Sequence, residues 1–129
     1  MYTDPKTAYL STRATSSVHD ASPHKLIALL LDACQENLAV AKGAMQRGEV
    51  RNKIVAIKKA LDIIIQLQTS LDFTKGGQVA EQLDDLYSFC TNRLAMANAV
   101  NDETMIDDVY KVVSEIKLGW SQINGSVDP

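Results

Sequence analysis

The stretch VRNKIVAIKKALDIIIQLQTSLDFTKGG, residues 50–77, decides the fold. Its centre, residues 61–67, is rich enough in β-branched side chains to pass for a buried strand if met alone. The surrounding period says otherwise. Val50, Ile54, Ile57, Leu61, Ile64 and Leu71 keep a three-or-four spacing, Ile63, Ile65 and Leu67 widen the stripe, and the whole reads as an amphipathic helix over about 49–71. Residues 72–77 read as a turn, because two adjacent glycines lose too much backbone entropy inside a helix and readily take positive φ.

Working outward, Ser22-Pro23 opens an earlier helix: a serine N-cap accepts a backbone N–H, and proline in the first turn forfeits no bond. Ile27, Leu30, Cys34, Ala41 and Met45 form its inward line, Leu26, Leu29, Ala33, Val40 and Ala44 add a second apolar face, and Gly48 stops it. After the glycines a third helix runs over about 78–99 with Val79, Leu83, Leu86, Cys90, Leu94 and Ala97 inward and Tyr87 and Phe89 beside them. Asn101 is expected to cap a fourth, whose first turn holds Asp102 and Glu103 at the positive end of the helix dipole. That helix turns Met105, Val109, Val113, Ile116, Trp120 and Ile123 inward and ends at Asn124-Gly125. Four amphipathic helices with short connections favour an all-α, antiparallel up-down-up-down four-helix bundle over residues 22–124.

The flanks differ in kind. Residues 1–21 hold few large apolar side chains and read as a flexible N-terminal arm, with Tyr9 and Leu10 as an isolated pair able to pack on the body. Residues 125–129 read as a disordered tail. A chain of 129 residues makes one domain that folds without staples, and Cys34 and Cys90, both inside apolar helical stretches, read as reduced core thiols. No apolar run reaches the roughly 20 residues that span a bilayer, and the first residues are not built like a signal peptide, so a cytoplasmic protein is expected.

A net charge of -3 argues against a nucleic-acid binder, which carries a basic excess to neutralise phosphates. Charge is uneven along the chain. Arg47, Arg51, Lys53, Lys58 and Lys59 outnumber Glu49 and Asp62 in residues 47–62, whereas in residues 78–108 Arg93 alone opposes Glu81, Asp84, Asp85, Asp102, Glu103, Asp107 and Asp108. The simplest reading is complementary solvated faces on neighbouring helices.

Catalytic chemistry finds no support. His19 and His24 have no Cys, Asp or Glu at metal-ligand spacing on a shared helix face, Lys75-Gly76-Gly77 lacks the strand and the Lys-Ser/Thr of a P-loop, and Asp84-Asp85 and Asp107-Asp108 point their members to different helix sides. No cofactor or metal is expected. What the sequence does hold is surplus apolar surface: Leu29-Leu30-Leu31 and Ile63-Ile64-Ile65 put large residues on several faces, and Ala28, Ala56, Ala60, Ala80 and Ala95 leave room for another helix. Either the core is generously packed or an outside helix covers part of it.

One stretch carries a resemblance. LDFTKGGQVA at 71–80, followed by Leu83, Leu86-Tyr87, Arg93-Leu94, Ala97-Asn98 and Asn101-Asp102, is similar to the flagellin-specific export chaperones of bacterial flagellar secretion, the FliS family. Ala21-Ser22-Pro23 leading into Leu26, Leu31 and Cys34, and the late Trp120, agree with it, while Cys90 stands where that family is expected to carry a larger apolar residue. The resemblance implies a flagellar secretion chaperone that binds the disordered C-terminal segment of flagellin, prevents premature polymerisation and delivers it to export gate components. It further implies no membrane insertion and a monomer or weak homodimer when client-free. Joined to the apolar surplus, it places the flagellin-binding surface at Tyr9, Leu10, Ile65, Leu71, Phe73, Ala80 and Tyr87. Two other classes remain: a histidine phosphotransfer module, for which His24 beside Lys25 is the candidate, and a generic helical adaptor.

Overall fold

In the computed structural model, which describes residues 22–123, four helices follow one another: α1 Pro23–Gln46, α2 Val50–Thr69, α3 Phe73–Val100 and α4 Glu103–Ile123. The arm, with His19, Tyr9 and Leu10, and the tail from Asn124 onward lie outside the described residues. Local chemistry sets each boundary. Ser22 Oγ accepts the Lys25 N–H at 3.1 Å ahead of α1, and Gly48, at φ 70°, turns the chain into α2.

Two boundaries correct the expectations above. Residues 72–77 are not a plain turn: Asp72 Oδ1 accepts the Lys75 N–H at 2.9 Å and caps one helical turn, and Gly77, at φ 49° and ψ -124°, kinks the chain into the rest of α3. A capping aspartate outweighs the entropy lost at Gly76. Asn101 does not cap α4. It sits in the left-handed region, φ 54° and ψ 48°, and closes α3 with its N–H on the Ala97 carbonyl at 2.8 Å. The cap is Asp102, whose Oδ1 accepts the Thr104 hydroxyl at 2.6 Å and the Thr104 N–H at 2.9 Å, bonds that hold its carboxyl below the usual range. Asparagine suits both ends of a helix, which is why spacing misassigned it.

Side-chain pairs fix the topology. His24 meets Trp120, Gln35 meets Ser114 and Gln46 meets Glu103, so α1 and α4 run in opposite directions. Lys53 with Asn98 and Gln68 with Asp84 do the same for α2 and α3. Helix α1 packs against α2 and α4, and α3 closes the ring by touching the same two. The result is an antiparallel four-helix bundle.

Much of each expected stripe is in the core: Ile27, Leu30, Cys34 and Ala41 of α1, Ile57 and Ile64 of α2, Cys90, Leu94 and Ala97 of α3 and Val109 and Val113 of α4 are buried, and Met105, Ile116 and Trp120 pack against them; the departures are local. In α1, Leu31 and Leu38 are buried while Leu29 and Val40 are exposed. In α2 the buried line is Lys53, Ala56, Ile57, Ala60, Ile64 and Leu67; Val50 and Ile54 are exposed and Leu61 is half-buried. In α3, Val79 and Leu86 point out while Ala80 and Tyr87 are inside, and in α4 Ile106 joins Val109 and Val113. The physical reason is clearest in α2 and α3. Ala56 and Ala60 of α2 and Ala80 and Ala97 of α3 are buried, so the phase of these two helices follows a line that includes small residues rather than the largest ones.

Cys34 and Cys90 are free and buried in the same cluster. Burial pushes the Cys34 thiol up to about 12, with the Cys90 thiol adding to it, and burial alone pushes Cys90 to about 12. Neither should react with a disulfide reagent at pH 8 until the bundle unfolds, and a fast stoichiometric reaction in native buffer would contradict the placement. In the unfolded chain the thiols ionise near the ordinary 9.0, so their contribution to stability is complete below pH 9 and fades as pH rises from there toward 12.

Candidate functional site

The outer seams of the bundle differ sharply in polarity. Between α1 and α4, Lys42 pairs with Asp107 at 2.8 Å, Gln35 donates to Ser114 Oγ at 2.7 Å, Gln46 donates to Glu103 at 2.9 Å, and Lys117 pairs with Asp32. At one end His24 stacks on Trp120, centroids 4.8 Å apart and planes within 10°; His24 Nε2 donates to the Trp120 carbonyl and Trp120 Nε1 to the His24 carbonyl, each at 2.8 Å. Each exposed pair contributes little, because water screens it. Together they set the register of α4 on α1.

Between α2 and α3 the described polar contacts come from Gln68 and Lys53, near the two ends of α2, and an aliphatic line lies between them. Val50, Ile54 and Ile65 are exposed and Leu61 is half-buried, and their spacing places all four along one side of α2, next to the buried line. Gln68 Nε2, which donates to Asp84 Oδ1 at 2.8 Å and Ser88 Oγ at 3.0 Å, shows which side of α3 they adjoin. That side continues through Ser88, Thr91, Ala95 and Ala99, all small. Large aliphatics along one helix beside small residues along its neighbour make a shallow trough that fits the ridge of a further helix.

The residues singled out from sequence fall into three groups. Ile65 is exposed on the aliphatic line of α2, and in the connection to α3 Phe73 is exposed while Leu71 is half-buried and packed against the core. Ala80 and Tyr87 are 3 % and 4 % exposed and belong to the interior beneath it, a consequence of the turned phase of α3. Tyr9 and Leu10 lie outside the described residues. Val50 and Ile54, assigned to the core by spacing, are surface residues, whereas Leu61, read the same way, does pack against the core. A second apolar line, Leu86, Phe89, Met96 and Val100, lies on the far side of α3, crossed by Arg93, which stands 5.4 Å over the Phe89 ring and 3.7 Å from Asp108 of α4.

Lys53 stands in sequence among solvated cations and is not one of them. It is 5 % exposed, and its Nζ donates to the Asn98 carbonyl at 3.0 Å and to Asn101 Oδ1 at 2.6 Å. The signal lay in its spacing, since it shares the line of Ile57, Ala60 and Ile64. His24 is held in the α1/α4 lock by ring and by Nε2, so it does not present the exposed imidazole that phosphotransfer needs. Among the described residues no group of three or more His, Cys, Asp or Glu could hold a metal ion, and no helix is long and apolar enough to cross a membrane.

Comparison with known proteins finds relatives over most of the chain. The family model described as flagellar protein FliS matches residues 5–127. The flagellar secretion chaperone FliS of Vibrio cholerae is 42 % identical over 116 residues, 90 % of this chain and 85 % of its own. The flagellar secretion chaperone FliSB of Pseudomonas aeruginosa is 40 % identical over 116 residues, 90 % and 92 % of the two chains. The FliS of Bacillus subtilis is 27 % identical over 119 residues, 92 % and 85 % of the two chains.

Proposed function

This chain belongs to the FliS family of flagellar proteins, and from that premise we propose that it is the cytosolic export chaperone of flagellin. It works as a flagellar secretion chaperone and not as an enzyme. In this reading the disordered C-terminal segment of flagellin folds as helix onto the bundle, is thereby kept from polymerising, and is handed to components of the flagellar export gate.

The observation that carries the reading is the trough of Val50, Ile54, Leu61 and Ile65 beside Ser88, Thr91, Ala95 and Ala99. An amphipathic helix laid there hides aliphatic surface on both partners, and a client that must order itself to bind attaches at moderate affinity and can be released. Ile65, Leu71 and Phe73 form one end of the proposed contact, with Ala80 and Tyr87 supporting it from below. Tyr9 and Leu10 of the arm are proposed to cover the trough when the client is absent, leaving the free protein a monomer or weak homodimer. A generic adaptor for some other helix would use the same trough, so the client distinguishes the two.

Calorimetric titration of the full chain with the C-terminal fragment of flagellin from the same organism tests this. One-to-one binding with a negative heat-capacity change is expected, accompanied by a gain of helix in the fragment. No detectable binding by folded protein at about tens of micromolar overturns the reading.

A further inference from the structure

Where the α1–α2 and α3–α4 turns meet, the end of the bundle holds a cavity of about 200 Å³, walled in part by Met45, Glu49, Val50, Lys53, Asn101 and Glu103. Lys53 is out of place there by ordinary rules. A buried cation is usually matched by a carboxylate, because losing its hydration is costly. The two partners of Lys53 are neutral oxygens, Asn98 O and Asn101 Oδ1, and none of the ion pairs among the described residues includes it. The two carboxylates in the wall are engaged elsewhere. Glu49 accepts from Arg47 Nε at 3.0 Å and from Asn52 at 3.2 Å, and Glu103 accepts from Gln46 at 2.9 Å. An ammonium has three protons and these bonds use two, on a side chain that itself lines the cavity.

Val50 belongs both to the cavity wall and to the exposed line of α2, so that line begins at the cavity. We infer that this cavity receives the free C-terminal carboxylate of the helix seated in the α2/α3 trough, with Lys53 as its counter-charge. The inference rests on the client reading above. A helix whose last turn reaches Val50 brings its unpaired carbonyls and the negative end of its dipole to the same place as the terminal carboxylate, so the charges add. Cavity and trough then make one site: aliphatic contact along the helix, and a single charged bond that sets where it stops and which way it runs.

Three peptides of the flagellin C-terminus separate the outcomes: the free acid, the same peptide amidated at its end, and the free acid extended by several residues. Against the full chain, the free acid should bind about tenfold or more tighter than the other two, the size expected for one charge-assisted hydrogen bond. Lys53→Met, of similar length, should bind all three alike at the level of the amide while keeping a cooperative melt. Equal binding of acid and amide by the wild-type chain overturns the inference and leaves the client reading standing, a comparison that needs no variant. Retention of the acid preference by Lys53→Met overturns the role of Lys53. If none of the three peptides binds, the client reading fails and the inference with it.

Discussion

Ile64→Asp is expected to abolish the cooperative folding of this bundle at ordinary temperature, or to bring its thermal midpoint down by roughly 15 °C or more. Ile64 is 0 % exposed and packs in the cluster that joins all four helices. An aspartate there loses the aliphatic contacts of isoleucine and places a carboxylate where no cation is buried within the cluster. A buried, unmatched charge costs on the order of 4 kcal/mol or more. A domain of this size has in total about 5–15 kcal/mol. Circular dichroism melts and urea titrations at neutral pH read the effect directly. The aspartate should also be rescued in part at low pH, where its neutral form is the cheaper one to bury; a variant as stable as the parent at pH 7 would mean that α2 does not face the core as described.

How far residue spacing alone carries depends on which property is asked of it. The existence and order of the four helices follow from local signals, the Ser22-Pro23 start, the Gly48 and Gly77 breaks and the Asn101-Asp102 junction, and the bundle follows from them. Helix phase does so in α1 and α4, whose expected inward lines are buried or packed against the core, and only in part in α2 and α3. A line of large aliphatics such as Val50, Ile54 and Leu61 satisfies the same period as the line of Lys53, Ala56, Ile57, Ala60 and Ile64 that is buried, one position away. Choosing between them needs the partner helix, because small residues go inside only where backbones come close. The same ambiguity hid the candidate site, since side chains assigned to the core were unavailable for the surface. Lys53 shows the limit from the polar side: a lysine amid arginines and lysines reads as solvated until a carbonyl of α3 and Asn101 are found 3.0 and 2.6 Å from its nitrogen. The α1/α4 lock of His24 and Trp120 joins positions far apart in the chain, and nothing local announces it.

Phase is also what makes the last expectation decisive, for Ile65 and Ile54 sit next to buried residues yet should behave in the opposite way. Ile65 is 47 % exposed against 0 % for its neighbour Ile64, and Ile54 is exposed as well. An aspartate at either position keeps its hydration, so the melt should move by no more than about 0.5 kcal/mol, as for ordinary surface substitutions. Binding should respond differently. A carboxylate in the trough must either be desolvated beneath the client helix or hold that helix away, and in both cases the aliphatic contact is lost; the double variant Ile54→Asp, Ile65→Asp should bind the flagellin C-terminal fragment about a hundredfold more weakly, if at all. The same charges on the far side of α3, at Met96 and Val100, are the control and should leave affinity within a few-fold of the parent. Calorimetry beside thermal melts reads both quantities on the same samples. Should the double variant lose stability as Ile64→Asp does, Ile54 and Ile65 are core and the buried line of α2 is the one that large-residue spacing suggests. Should it stay folded and bind at full strength, the client lies on another seam, and the apolar line of Leu86, Phe89, Met96 and Val100 becomes the surface to charge next.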